Sequence, residues 1–441
     1  MYIDKEYTIN AELLHKLIKK HKEKIKRWDK LEEYYLGKHD ILDRDKEERS
    51  VFNNKVVVNH AKYITDISSG YLMGKKVDYQ TNSNIDKILE SYNYQTINDI
   101  DTEIATNLSI KGLEYEYVYN DEEGNPKSSI SLAQNTILVR DDTVEHNKLF
   151  GFIYESDEKD HQKYYITLVD EEKKYKYILI GNNLILEEEE EHFFGDVPII
   201  QYRNNPEGQG DFEPVLSLID AYNLLQSDRL NDKEQLVDAI LLIKGSQLDE
   251  EDLKTLKKFR ALTLGEGESA EYLIKQLNEA DTDVLRQVIE QDIHKVSMTP
   301  NMTDETFSSN LSGVAIKYKL LAFEQKTIKK ERYFEKGLKE RFKLYNHFLN
   351  IKSNVPIVRV EDIDVVFTRN LPINDLEIAQ MIAMLQGIVD DETLIQRLSF
   401  VDDASEIVKL VEKKKQDNMK NYLGQYGDIR EEDGSGDENE M

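Results

Sequence analysis

The sequence predicts an α+β fold, mainly helical, with an antiparallel β-rich stretch set between long helices. Three observations predict it. Residues 112–205 carry short runs dominated by tyrosine, isoleucine and valine, separated by turn signals such as DEEGNP and IGNN. Residues 212–243 and 313–350 each keep apolar residues at helical spacing for much longer than an ordinary helix. The apolar fraction is 39% against 33% charged residues, which suits an elongated protomer, or one whose faces meet copies of itself. The 441 residues leave room for two or three domains.

From the N-terminus, residues 10–36 form an amphipathic helix with Leu14, Ile18, Ile25, Trp28 and Leu31 on one side. Its other side is rich in lysine: Lys16, Lys19, Lys20, Lys22, Lys24 and Lys26. Such a charge run is ordinarily a solvated face; attachment to an acidic partner surface is the alternative. A second helix is expected at 56–72, with Gly70 and Gly74 as stop and turn. The runs LEYEYVY, ILVRDD, LFGFIYES, KYYITLVD, KYKYILI and NLILEEE then predict a half-buried meander of about six strands.

The helix at 212–243 places Val215, Leu218, Ile219, Tyr222, Leu225, Leu236, Val237 and Ile240 on the helical period. It would reach about 45 Å, so its polar middle, SDRLND, is expected to meet a neighbouring copy or solvent. Residues 246–278 predict a small unit of one helix (LDEEDLKTLKKF) and two strands (ALTLGEG and AEYLIKQL). In the helix at 281–297, Asp283, Arg286, Gln287, Glu290 and His294 share one narrow face, and Val284, Leu285, Val288, Ile289, Ile293 and Val296 the other. Asp292 falls on the apolar side, where a lone carboxylate needs a partner, expected from a neighbouring subunit. A polar, hydroxyl-rich loop, PNMTDETFSSNLSG, follows. The pattern at 313–350 carries Val314, Tyr318, Leu321, Phe334, Leu338, Phe342 and Tyr345, with a polar interruption at QKTIKKER where a kink is expected. A strand, PIVRVEDIDVVFTRN, and helices at 374–388 and 391–416 lead to an acidic tail, EEDGSGDENEM, of disordered composition.

Net charge is −28, from 58 basic and 86 acidic residues. That argues against a protein whose task is to grip nucleic acid, without excluding one that surrounds DNA and lets it slide, for which stickiness would be a fault. With no cysteine, disulfides and thiolate metal sites are excluded, and a reducing, intracellular compartment is expected. The stretch MYIDKEYTINAELLHK lacks the apolar core of a signal peptide. The strongest apolar run, AILLI at 239–243, is far short of the roughly 20 residues that cross a bilayer. A soluble protein without a membrane partner is expected. GxxxxGK[ST], HExxH and GxSxG are absent. The pairs Asp141–Asp142, Asp390–Asp391 and Asp402–Asp403 arise by chance among 86 acids, and the five glutamates before His192 read as a solvated acidic edge. No catalytic residue, cofactor or metal site is predicted, and the chain is not expected to be an enzyme.

Three stretches carry a resemblance: NNKVVVNHAKYITDISSGYLMGKKVDY, GDVPIIQYRNNPEGQGDFEPVLSLIDAYNLLQSDRLND and SNLSGVAIKYKL. In their order and spacing they resemble the portal proteins of tailed double-stranded DNA bacteriophages, the head-to-tail connectors of long-tailed phages of Gram-positive hosts, over roughly residues 50 to 400. The resemblance implies a homo-oligomeric ring at one capsid vertex, twelve-fold in the virion and assembled in the host cytoplasm. Its protomer would have a wing at 1–212 with the meander, a first stem helix at 213–245 and a clip at 246–280. A second stem helix would occupy 281–299, a tunnel loop 300–312, the long wing helix and strand 313–373, a helical crown 374–418, and the tail 419–441.

On this reading Thr303, Asp304, Glu305, Thr306, Ser308, Ser309 and Asn310 face DNA in the tunnel loop. Asp283, Arg286, Gln287, Glu290 and His294 line the channel. Lys257, Lys258, Arg260, Glu266 and Glu268 face the packaging motor in the clip. The implied partners are double-stranded DNA, passing without sequence specificity, the terminase large subunit, which supplies ATP hydrolysis, a head-completion or adaptor protein, and the major capsid and scaffolding proteins. The competing readings are a metal-dependent carboxylate nuclease with the 300–312 loop as its lid, and a non-enzymatic capsid adaptor or scaffold.

Overall fold

Asn10 accepts a hydrogen bond from the Leu13 N–H at 2.9 Å and so starts the first helix, α1 (Ala11–Tyr35). Leu14, Leu17, Ile18, Trp28 and Leu31 form its buried stripe, as the spacing predicts. The computed structural model describes residues 1–45, 52–160, 162–237, 240–244, 267, 269–273, 279–302, 313–369, 375–396, 398, 401, 407–411 and 413–415. Residues 1–309 with 318–370 make one unit, and residues 310–317 with 371–441 a second.

In the first unit, helix α2 (His60–Leu72) follows an extended segment, so the expected helix at 56–72 starts late. Then come β2 (Asp78–Gln80; β1 is Tyr2–Ile3), α3 (Asp86–Tyr94) and α4 (Ile97–Lys111). Gly112 ends α4 in the left-handed region, φ +79°, with its Cα against the Gly208 carbonyl; a Cβ there would collide with backbone. The strands are β3 (Leu113–Asn120), β4 (Pro126–Ser131), β5 (Thr136–Asp141), β6 (Lys148–Ser156), β7 (Lys163–Val169), β8 (Lys173–Ile180), β9 (Asn183–Glu191) and β10 (Ile199–Arg203). They build two sheets rather than one meander. Strands β5 to β9 run antiparallel in order, with β1 added in parallel beside β5. β3 leaves that series and pairs between β10 and β4. Helix α1 lies on the larger sheet, where Leu14, Leu17 and Ile18 pack with Val139, Phe150, Phe152 and Ile166.

Helix α5 (Leu216–Val237) ends earlier than its apolar pattern suggests. Residues Ile240–Lys244 are a strand, β11, paired antiparallel with β12 (Ser269–Leu273). A short apolar run with two isoleucines satisfies either period, and here the partner strand decides. After α6 (Glu279–Ser297) comes α7 (Gly313–Lys319), then α8 (Leu321–Ser353), 33 residues long. Helix α8 passes unbroken through QKTIKKER, where a kink was expected. The break falls instead at Leu320. The predicted strand near the end of this unit shrinks to β13 (Asp364–Val366), paired with β2. In the second unit the expected crown helix at 374–388 is α9 (Asp375–Leu385). A turn at Gly387 leads to α10 (Asp391–Ile395), capped by Asp390 accepting from the Thr393 N–H at 2.8 Å.

Helix α8 is the beam on which the first unit is assembled. Phe334, Leu338, Phe342 and Tyr345 sit in its main core with Ile200 and Tyr202 of β10. Gly337 lets the Tyr202 ring lie flat on the helix, since any Cβ at 337 would run into that ring. The helix-propensity cost of such a glycine, about 1 kcal/mol, is offset by the close approach. Two buried ionic networks fix the register. Arg341, wholly buried, donates to Glu116 at 2.7 Å and pairs with Asp101 at 2.6 Å, while the Tyr202 hydroxyl donates to Glu116 at 2.6 Å. Asp211, also buried, accepts from Lys330 at 2.6 Å, from Ser109 at 2.6 Å and from Asn204 at 3.0 Å, and pairs with Lys326 at 3.2 Å. Two of the three lysines of QKTIKKER, Lys326 and Lys330, therefore face a carboxylate, which is why a polar stretch continues a packed helix.

Replacing Asp211 with alanine leaves two lysines without their counter-charge in the interior. A loss of about 3–5 kcal/mol in unfolding free energy is expected, measurable by urea titration. A loss under 1 kcal/mol would show that the network is incidental.

Candidate functional site

The two helices flanking the β11–β12 hairpin, α5 and α6, together with the start of the polar loop after α6, form the candidate site. Helix α5 starts at the Asp211 network, after a short 3-10 turn at Glu213–Val215 whose Glu213 pairs with Arg27. Beside its apolar contacts through Ile219 and Tyr222, its packed side carries a polar row. Asn223, Ser227 and Asn231 are buried and stand one turn apart. The extended segment 54–58 runs beside them. Asn54 N–H donates to Asn231 at 2.8 Å, Val56 N–H to Ser227 at 2.9 Å and Val58 N–H to Asn223 at 2.8 Å. Four helical residues rise about 6 Å and two extended residues about 6.6 Å, so a helix polar at i, i+4 and i+8 can substitute for a neighbouring strand. SDRLND, expected to meet solvent or another copy, contributes Ser227 and Asn231 to a contact within the protomer.

Helix α6 brings several of its polar residues against α5 and α2. Arg286 donates to Asp283 and to Glu290, both at 3.0 Å, and Asp283 lies 3.7 Å from Arg229 of α5. Hydrogen bonds that the Arg286 guanidinium donates to Tyr222 and Asp283 hold it protonated, above its ordinary range. His294 stacks edge-on against His60 and Tyr63 of α2, at 5.9 and 5.6 Å. Of the five residues expected to line a channel, Asp283, Arg286, Glu290 and His294 are half-buried in these contacts; Gln287 is exposed and donates to Asp283. The apolar side is split. Ile293 is buried and Ile289 packs with it, yet Val284, Leu285, Val288 and Val296 are 60, 50, 47 and 49% exposed. Asp292 is half-buried beside this open stripe.

The start of the loop is clamped. Met298, at φ +52°, ends α6, and the His294 ring N–H donates to the Thr299 carbonyl at 3.0 Å. The Tyr63 hydroxyl donates to the Pro300 carbonyl at 3.1 Å and accepts from the Met302 N–H at 2.8 Å. Asn301 donates to Glu290 at 3.1 Å, and Lys326 of α8 to the Ser297 carbonyl at 2.9 Å. An open cavity of about 520 Å³ lies alongside, with Glu290, His294, Asn301, Lys319 and Phe323 among its walls. The loop residues Thr303, Asp304, Glu305, Thr306, Ser308, Ser309 and Asn310 lie outside the described residues. So do Lys257, Lys258, Arg260, Glu266 and Glu268 of the expected clip. Among the described residues no group of three or more His, Asp or Glu side chains is arranged to hold a metal ion, and no helix is long and apolar enough to cross a membrane.

Sequence reasoning missed Tyr63, Asp211 and the Asn223–Ser227–Asn231 ladder. The ladder did leave a signal: small polar residues at one-turn spacing within a strong apolar helix.

Burial holds His60 neutral, its pKa pushed down to about 4, with His294 nearby adding to the effect; burial likewise lowers His294, and brings His21 to about 4. A histidine that protonates more readily unfolded than folded stabilises the fold above its unfolded pKa of roughly 6.5 and loses that contribution as pH falls toward the folded value. The thermal midpoint is therefore expected to drop between about pH 6.5 and 4, and the His60→Phe variant to show a shallower drop. Equal slopes for both proteins by scanning calorimetry would remove His60 from the explanation.

The family profile described as "Phage portal protein, SPP1 Gp6-like" matches residues 14–421. The portal protein of Bacillus phage SPP1 is 24% identical over 453 aligned residues, covering 92% of this chain and 86% of that protein. The portal protein of Clostridium phage phiCD119 is 23% identical, covering 90% of this chain and 94% of its own length. With nearly the whole chain spanned by that profile, this protein belongs to the SPP1 Gp6-like family of phage portal proteins.

Proposed function

We propose that copies of this chain close into a ring, twelve in the virion, which forms the channel for DNA packaging and ejection at one capsid vertex. The observation that carries this reading is the open apolar stripe of α6. Val284, Leu285, Val288 and Val296 face water in the single protomer. Apolar surface exposed at about 25 cal/mol per Å² is costly, and a continuous strip of it marks a contact. On its far flank α5 exposes Leu224 and Ala221. Two unlike faces on one protomer meet the requirement of a head-to-tail contact, which closes into a ring when its rotation allows. Asp292, between Val288 and Val296 in the same i, i+4 row of the stripe, would find its partner on the neighbouring subunit.

In such a ring the segment after Met302 would be the tunnel loop. Thr303, Thr306, Ser308, Ser309 and Asn310 can make short-lived hydrogen bonds to phosphates, contacts that carry no sequence information, while Asp304 and Glu305 repel the backbone. The polar face of α6, Asp283, Arg286, Gln287, Glu290 and His294, would line the bore, with Gln287 the exposed member and the other four positioned by contacts inside the protomer. The segment beyond the β11–β12 hairpin, with Lys257, Lys258, Arg260, Glu266 and Glu268, would dock the terminase large subunit and later the head-completion protein. Capsid and scaffolding proteins would meet the ring from the shell, and catalysis of ATP hydrolysis belongs to the motor.

Electron micrographs of the purified chain are expected to show annuli with a central hole. Single molecules under every solution condition would overturn the reading. The Leu285→Asp/Val288→Lys variant changes two exposed residues, so it should remain folded and lose the rings. Rings that persist would take the stripe out of the interface. Deleting residues 303–309 is expected to leave procapsids assembling but with much less packaged DNA, and normal packaging and genome retention would refute the tunnel-loop role.

A further inference from the structure

Neither the ring nor the channel uses the lysine side of α1, and the structure continues that side into a longer basic band. Three open cavities of about 420, 260 and 760 Å³ follow one another; the first and second share Tyr2, the second and third share Tyr333 and Lys336. Lys16 and Lys20 border the first and Arg140 and Arg203 the second. Lys329, Arg332, Lys336 and Lys339 border the third. Among the described residues, Lys20, Arg203, Lys329 and Arg332 make no ion pair. Lys24 shows how crowded the charge is: burial lowers its pKa, and Lys20, Arg203 and Arg27 lower it further. The first cavity also carries Asp4, Glu6 and Glu12, so the excess of cations lies in the second and third; in a chain of net charge −28 that excess is a local reversal of sign that needs a counter-charge.

We propose that this band of grooves binds an extended acidic segment of another protein. Three features favour a polypeptide over nucleic acid. Carboxylates alternate with the cations in the same walls, Glu145 and Glu340 in the second cavity and Glu207 and Glu335 in the third, and they would repel an unbroken row of phosphates. The floor is partly apolar, with Tyr2, Tyr333 and Pro206, which suits side chains between acidic positions. The grooves are small and consecutive, the shape of a single extended chain. Charge matching of this kind sets specificity and association rate, and weakens with salt.

The test uses the full-length protein, a fluorescent peptide alternating Asp-Glu pairs with glycine, and a duplex DNA of mixed sequence as competitor. Anisotropy is expected to show peptide binding at low salt that weakens as salt rises and is not displaced by the duplex. Arg332→Glu/Lys336→Glu is expected to weaken it at least about tenfold, whereas Lys26→Glu, a charge change on α1 outside the cavity walls, leaves it unchanged. Should the double variant lose its melting transition, Lys329→Ala replaces it, with a smaller loss expected. Absence of binding at low salt, equal affinity in the groove variants, or preferential binding of the duplex would each overturn the proposal.

Discussion

Asp211 holds the two candidate-site helices in place from a single buried carboxylate. Its oxygens take Ser109 from the end of α4, Asn204 from the turn after β10, and Lys330 and Lys326 from α8, and α5 starts just beyond it. Lys326 also reaches the Ser297 carbonyl at the end of α6. Burial alone would raise the Asp211 pKa, and the two lysines, with the hydrogen bonds of Lys330 and Ser109, reverse that and hold it well below the carboxylate range. The cost falls on the cations: burial and the neighbouring Lys330 pull Lys326 down. One anion between two cations is stable only while all the remaining lone pairs are occupied, and here the neutral donors Ser109 and Asn204 occupy them.

From that node the site acquires a stiff root. Tyr63 grips the backbone on both sides of Asn301, Glu290 holds the Asn301 side chain, and Lys326 holds the last turn of α6. Whatever continues from Met302 starts from a fixed point tied to α2, α6 and α8. A polar loop acting on a moving polymer needs such a support, because force on a loose root would displace the root before the polymer.

Elements with an unambiguous period were legible in the sequence: α1, whose apolar stripe repeats every three or four residues, and β5 to β9, whose tyrosine-, isoleucine- and valine-rich runs are separated by short polar turns. Elements decided by a distant partner were not. Residues 240–244 suit helix or strand equally, and only pairing with 269–273 settles them. β4, polar and starting at a proline, shows little of the strand pattern and exists through its pairing with β3. The α5 ladder needs residues 54–58, more than 160 positions away. For α6 the period correctly separated two faces without saying which one the chain keeps for itself. Folding rules assign the apolar face to the core of one's own chain, and in a protomer built to meet copies of itself that assignment can reverse. In the proposed ring, exposure of Val284, Leu285 and Val288 would be the trace that assembly leaves on a single subunit.

The same logic governs charge. The Asp211 network carries one excess positive charge and the Arg341 network one excess negative, and the buried Lys111–Glu114 pair, 2.6 Å apart, is neutral. These interior networks cancel, so the net −28 resides in the rest of the chain. A net charge of that size would repel a polyanion at long range. In a closed ring of such protomers, repulsion from all sides has its minimum on the axis, and a duplex is centred there without being held. Each lysine placed on the bore would instead create a local trap, with an escape cost set by the counterions it displaces. On the proposed reading, keeping cations buried against carboxylates, or in grooves matched to acidic protein, would let a strongly charged chain enclose DNA and still let it pass.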